Sequence, residues 1–172
     1  KNDKFIDSAL YLQKANNFKL QIFSSEGEDH IAKANNLLFQ EDYSSLISSS
    51  TKNKFIFIVG MPRSGSTLID SILAMNPSVK TVGETNIFEE SYLHWLNNHS
   101  SSDYSTLQEV YENRLYESIG NFNIITNKCL YNYAYAGLIA KHFPSAKIIH
   151  IYRHPLDNIL SMYRTNFASN NY

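Results

Sequence analysis

The chain has 172 residues, a formal net charge of −1, 43% hydrophobic residues and 13% aromatic residues. It is long enough and apolar enough for one folded core, and this composition excludes bulk disorder. A charge near zero also argues against a broad basic surface for nucleic acid, so any anion site must be local.

Several further classes of protein are disfavoured by the sequence. Cys129 is the single cysteine and the six histidines do not cluster, so neither a disulfide framework nor a metal site is expected. No stretch approaches the roughly 20 apolar residues of a membrane span. We expect a cytoplasmic location. The chain begins with Lys1, and we interpret it as a fragment whose targeting segments could lie outside it.

Residues 1–50 have the apolar spacing of two helices separated by a break at Gly27. This predicts a helical arm, joined to the rest of the chain by a linker at 48–53 (SSSTKN). Two interpretations stay open for the arm. It is either the end of a helical repeat array, which would bind protein, or a hairpin packed on the main domain.

Beyond the linker, residues 51–172 alternate between two kinds of segment. Strand-like runs are predicted at 55–59, 79–82, 123–126 and 147–152, and helices at 66–75, 86–97, 105–118 and 133–143. Such alternation predicts an α/β fold: a three-layer, P-loop-like parallel sheet flanked by helices, with an N-terminal helical arm. We expect this domain to be truncated at its C-terminus. Ligands of such sheets bind beyond the carboxyl ends of the strands.

The first strand ends in a glycine loop, FIVGMPRSGST, with glycines at 60 and 65. A nucleotide-hydrolysing loop would carry lysine where Ser66 stands, and here the cation is Arg63, inside the loop. Backbone N–H groups, the hydroxyls of Ser66 and Thr67 and the Arg63 charge together favour an anion site over a plain strand-to-helix turn.

Polar residues also follow the second and third strands. Glu84 is either a solvated turn residue or a general base that accepts a proton from an attacking hydroxyl. Lys128 is either a surface lysine or a point charge for a phosphate-like oxygen. Cys129 is predicted to be a packed residue rather than a nucleophile.

The fourth strand ends in Arg153, and Pro155 then suits the first turn of a helix. That helix carries an apolar stripe and a polar stripe, and the polar one includes Ser161. Arg153 and Ser161 could hold a second phosphate. The strand has no terminal Asp for magnesium, which disfavours a kinase or ATPase.

Together, these motifs resemble those of sulfotransferases that use 3'-phosphoadenosine-5'-phosphosulfate (PAPS). FIVGMPRSGSTLIDSIL is similar to that family's phosphosulfate loop, and RHPLDNILSMYRTNF to its 3'-phosphate segment. GETNIF and NKCLYNYAYAGLIAKHFPSAKIIHIYR resemble the branch with tyrosylprotein sulfotransferases and bacterial tetratricopeptide-repeat sulfotransferases.

The resemblance implies metal-independent transfer of a sulfuryl group from PAPS to an acceptor hydroxyl, on a tyrosine, a sugar or a small molecule, with release of PAP. It assigns Glu84 as the base and Lys128 and Arg63 as catalytic cations. The residues that it implies for binding PAPS are Arg63, Ser64, Gly65, Ser66 and Thr67 at the 5'-phosphosulfate, and Arg153 and Ser161 at the 3'-phosphate. Two alternatives remain open: a P-loop nucleotide kinase, and a non-catalytic interaction module that retains the fold.

Overall fold

The structure is a computed structural model, and it describes residues 2–23, 25, 27–40, 53–98 and 106–165. Its strands are β1 (Lys54–Gly60), β2 (Val79–Thr81), β3 (Ile124–Asn127) and β4 (Lys147–Ile151). Its helices are α1 (Asn2–Ile22), α2 (Gly27–Gln40), α3 (Ser66–Ala74), α4 (Ile87–Asn98), α5 (Leu107–Ile119), α6 (Ala136–His142) and α7 (Pro155–Tyr163), with a 3-10 helix at Leu130–Tyr135.

The four strands form one parallel sheet in the order β2-β3-β1-β4, which confirms the predicted α/β fold. β1 lies inside the sheet and pairs with β3 and β4, so Phe57 lies opposite both Asn127 and Ile148. Because all strands run the same way, their carboxyl ends meet at one edge. The glycine loop, Glu84, Lys128 and Arg153 all follow a strand at that edge.

An aromatic core fixes the inner strands against the helices. Phe57 packs on Phe88 with ring centroids 5.3 Å apart and on Tyr111 at 5.9 Å. All three side chains are buried, and burial raises the pKa of the Tyr111 phenol. The Tyr111 hydroxyl accepts a hydrogen bond from Asn127 Nδ2 at 3.1 Å, so the core reaches directly to the end of β3.

The buried amide of Asn127 also shapes the chain after β3. Its Oδ1 accepts from the Cys129 backbone N–H at 3.0 Å and from Asn132 Nδ2 at 3.1 Å. The helix predicted at 133–143 is therefore wrong at its start. The backbone N–H of Asn132 bonds to the Cys129 carbonyl three residues back, and the chain forms a 3-10 helix before α6 begins.

Helix α7 exposes apolar side chains and buries a polar one, the reverse of the usual arrangement. Leu156 is 70% exposed and Ile159 57% exposed, whereas Asn158 is the buried residue of the helix. Helix α1 meets α7 at its C-terminal end, where Asn16 Nδ2 donates to the Tyr163 carbonyl at 3.0 Å. Asn158 is buried because its Nδ2 donates to the Pro62 carbonyl, which ties α7 to the glycine loop.

The two helices of the arm make unequal contact with the rest of the molecule. In α2, the His30 ring stacks on Tyr131 with centroids 4.4 Å apart, Lys33 pairs with Glu89, and Leu37 joins the core. In α1, most apolar side chains are exposed. The linker predicted at 48–53 lies outside the described residues except for its last position. In the described part of the chain, no helix has the length and apolarity to cross a membrane.

Candidate functional site

The glycine loop between β1 and α3 depends on special backbone conformations. Gly60 has φ 145°, and a Cβ there would lie 2.5 Å from the Ile151 carbonyl oxygen, so only glycine allows β1 and β4 to approach so closely. Arg63 and Gly65 adopt left-handed conformations with φ 66° and 107°. The loop is thus a tightly folded strand-to-helix connection.

Several donors at the loop lack a protein partner. Gly65 is the N-cap residue of α3 and has no side chain to accept from the first N–H groups of the helix. The Ser64 hydroxyl is buried and makes no hydrogen bond. A buried hydroxyl without a partner and an uncapped helix N-terminus both suit a bound anion.

Lys128 is held between two other elements of the site. Its Nζ lies 2.5 Å from Glu84 Oε1 and donates to Thr67 Oγ1 at 3.2 Å. Its backbone N–H donates to the Gly83 carbonyl at 3.0 Å, which joins the ends of β3 and β2. The Lys128 side chain is 9% exposed and the Glu84 side chain 57% exposed. The structure therefore brings the predicted base, a predicted cation and a loop hydroxyl together.

A buried carboxylate, Asp70, holds helix α3 against the strands next to Lys128 and Thr67. Asp70 of α3 accepts hydrogen bonds from Thr81 Oγ1 at 2.8 Å and from Thr126 Oγ1 at 2.5 Å. These bonds fix α3 to β2 and β3, and thereby fix Thr67, one turn earlier on α3, near the strand ends. Asp70 was not predicted from the sequence, although it is the one charged residue within the segment TLIDSIL.

A second group of site residues lies where β4 and α7 meet the loop. Arg63 Nε donates to Ser161 Oγ at 3.2 Å, and Arg153 Nη1 donates to the Arg63 carbonyl at 3.1 Å. These side chains border a cavity of about 400 Å³, here called the arginine cavity. Its lining residues are Arg63, Arg153, Asp157, Leu160, Ser161, Arg164 and Thr165. The cavity thus brings Arg153, Ser161 and Arg63 together.

A third feature is a cavity whose lining includes sequence neighbours of Glu84 and Lys128. A cavity of about 240 Å³, here called the tyrosine cavity, is formed by α2, the start of α4 and the 3-10 helix. Its lining includes Asn86, two residues after Glu84, and Cys129, adjacent to Lys128. Burial raises the pKa of the Cys129 thiol, so the thiol is protonated at neutral pH, and its Sγ lies 4.0 Å from Asn86 Oδ1. Cys129 is thus a packed residue, as predicted.

A lysine-free glycine loop at the carboxyl edge of a parallel sheet, with side-chain cations around it, defines a P-loop-like α/β domain. A model of the sulfotransferase family matches residues 56–172. The chain belongs to the sulfotransferase family.

A similar protein is much longer than this chain. An uncharacterized protein of Aquifex aeolicus (strain VF5) is 32% identical over 133 residues, which are 66% of this chain and 17% of that protein. The chain thus spans less than a fifth of the length of that relative.

Proposed function

We propose that the domain uses PAPS as sulfuryl donor and transfers the group to an acceptor hydroxyl without a metal ion. The observation that carries this proposal is the contact of Lys128 with both Glu84 and Thr67 beside the glycine loop. It places a carboxylate that can accept a proton next to a cation that can stabilise an anionic leaving group.

The shape of the donor supports the same proposal. PAPS carries anionic groups at two ends, the 5'-phosphosulfate and the 3'-phosphate. The chain offers two separate sets of donors: the glycine loop with the unpartnered Ser64 hydroxyl, and the arginine cavity. A donor with a single phosphoryl end would leave the arginine cavity without a role. The residues present therefore fit PAPS.

In the proposed reaction the donor supplies the sulfuryl group, and the residues of the chain supply position and charge. Glu84 removes the proton of the acceptor hydroxyl as the new bond from that oxygen to sulfur forms. Lys128 stabilises the negative charge that grows on the phosphate oxygen as its bond to sulfur breaks. Thr67 positions the Lys128 ammonium. The products are the sulfated acceptor and PAP.

The tyrosine cavity is the proposed entrance for the acceptor. Asn86 is two residues from Glu84, and their Cα atoms are therefore at most about 7 Å apart. At about 240 Å³ the cavity is below the range of roughly 300–1,000 Å³ typical of drug-sized ligands. It suits a single hydroxyl-bearing group of a larger acceptor, such as a protein side chain or a sugar of a glycan. We also propose that the helical arm binds a partner protein. The domain would then belong to the branch of the family with tyrosylprotein and tetratricopeptide-repeat sulfotransferases.

Calorimetric titration of the full protein tests the donor. We expect PAP to bind with or without EDTA, and magnesium-ATP to bind more weakly. Preferential binding of magnesium-ATP would replace the proposal with a nucleotide kinase. Failure of both ligands to bind would leave an interaction module that retains the fold.

A further inference from the structure

We infer that helix α2 of the arm forms one wall of the acceptor site, and that His30 on this helix binds the hydroxyl-bearing ring of the acceptor. This inference rests on the proposed function, in which the acceptor enters through the tyrosine cavity. It gives α2 a role in the reaction, whereas the arm was expected from the sequence only to bind protein or to pack on the main domain.

The tyrosine cavity and the reacting pair are built on the same two chain segments. The Lys128 backbone N–H donates to the Gly83 carbonyl at 3.0 Å, and Lys128 Nζ lies 2.5 Å from Glu84 Oε1. Further along the same two segments, Cys129 Sγ lies 4.0 Å from Asn86 Oδ1, and both of these residues line the cavity. The Cα atoms of Lys128 and Cys129 are about 3.8 Å apart because the residues are consecutive. The wall of the cavity therefore continues into the pair that takes the acceptor proton and stabilises the leaving group.

Helix α2 is fixed against this cavity at two positions one turn apart. The His30 ring stacks on Tyr131, with centroids 4.4 Å apart and an angle of 11° between the rings. Three residues later, Lys33 pairs with Glu89, and its ammonium lies 5.5 Å from the centroid of the Tyr135 ring. Residues at this spacing share one face of a helix. The face of α2 that carries His30 and Lys33 is thus the face that closes the cavity.

His30 has a polar atom whose hydrogen bond is missing. Its Nε2 is buried and has no hydrogen-bond partner among the described residues. The stack on Tyr131 covers one face of the ring and leaves the ring edge, where Nε2 lies, for a bond in the ring plane. A buried nitrogen without a partner costs free energy, and a hydroxyl of a ligand can satisfy it. Because a hydroxyl both donates and accepts, it can bond to either tautomer of the imidazole.

The charged residues of the cavity lining are already paired with each other. Lys33 and Glu89 form an ion pair. Burial raises the pKa of the Tyr135 phenol, and the negative charge of Glu89 raises it further, so this phenol is protonated at neutral pH. The cavity therefore offers aromatic walls and a buried ring nitrogen rather than an unpaired charge. These features suit an uncharged ring that carries a hydroxyl, whether a phenol or a sugar.

The experiment measures transfer from PAPS to three probe acceptors by the full protein. The probes are a peptide with one tyrosine, a disaccharide of N-acetylglucosamine, and 4-nitrophenol, so that phenols and sugars are distinguished. The probe with the highest kcat/KM is then used with His30→Ala. Loss of one hydrogen bond between uncharged groups should raise the KM of the acceptor by about 2- to 10-fold. The KM of PAPS and the dissociation constant of PAP should stay at the parent values.

Three further variants separate the hydrogen bond from the packing of the ring. His30→Phe keeps a ring that can stack on Tyr131 and removes the nitrogen, so it should raise the KM of the acceptor as His30→Ala does. His30→Gln restores a polar side chain and should recover part of the loss. Asn35→Ala, at an exposed position of the same helix, is the control and should have the parent KM for the acceptor.

Three outcomes would overturn the inference while the proposed function stands. His30→Ala could leave the KM of the acceptor unchanged, it could raise the KM of PAPS equally, or His30→Phe could have the parent KM, which would reduce His30 to a packing residue. If the parent protein transfers the sulfuryl group to none of the probes, the proposed function fails, and the inference fails with it. Unfolding midpoints measured for every variant separate a lost contact from a lost fold.

Discussion

Replacing Lys128 by methionine separates the catalytic and structural roles of the buried ammonium. The change removes the charge and keeps an unbranched apolar stem in place. The Lys128–Glu84 pair is open to solvent on the Glu84 side, where 57% of the side chain is exposed. Ion pairs in such positions stabilise a fold by roughly 0.2–1 kcal/mol, and relieving the burial of an ammonium offsets part of that loss. The free energy of unfolding should therefore change by about 1 kcal/mol or less.

The rate should respond much more strongly than the stability. Removing one preorganised group that stabilises developing charge typically lowers turnover by about 10²–10³-fold. Single-turnover kinetics with saturating PAPS measures this step directly, and chemical denaturation measures the stability. Lys54→Met is the control, because Lys54 is an exposed lysine at the amino end of β1, whereas the site lies at the carboxyl ends of the strands. Unchanged turnover in Lys128→Met, or a rate loss that only follows unfolding, would refute the catalytic role.

Substitutions at Glu84, Gly60 and Cys129 test three further features of the site and the sheet. Glu84→Gln should lower turnover by about 10²–10⁴-fold with PAP affinity retained, and an unchanged rate would mean that another group takes the acceptor proton. Gly60→Ala should destabilise the protein by several kcal/mol, since its Cβ would meet the Ile151 carbonyl at 2.5 Å, and a melting temperature equal to the parent's would contradict that contact. Because burial raises the pKa of Cys129, the stability that its protonated thiol contributes is present below about pH 8.5 and is lost as pH rises above it. Cys129→Ser should remove that part of the pH dependence, and identical pH profiles would contradict it.

The sheet and the residues at its edge were predictable because they depend on local pattern. Apolar runs alternating with helical stretches predicted parallel strands, and the rule for carboxyl ends then grouped Glu84 and Lys128. The structure brings these two side chains within 2.5 Å. Each strand boundary differs from its prediction by at most one residue, because pairing, rather than composition, decides where a strand stops.

The supporting contacts could not be predicted because their partners lie far apart in the sequence. Asp70 bonds to Thr126, and Asn158 to the Pro62 carbonyl, contacts that exist only after the sheet has formed. The start of the 3-10 helix depends on Asn127, whose amide bonds forward to Cys129 and is itself oriented by the core. The secondary-structure propensity of a short segment does not reveal hydrogen bonds to residues far away in the sequence. The exposed apolar face of α7 was likewise not predictable, because helical periodicity alone predicts that an apolar stripe faces the core.

Transfer of labelled sulfuryl from PAPS by the full protein is the direct test of the proposed reaction. Formation of a sulfated hydroxyl acceptor and equimolar PAP is followed in the presence of EDTA, with Glu84→Gln beside the parent protein. We expect transfer that is insensitive to EDTA and strongly reduced in Glu84→Gln. Transfer that requires magnesium and uses ATP as the donor, or equal sulfation by the parent and by Glu84→Gln, would contradict it.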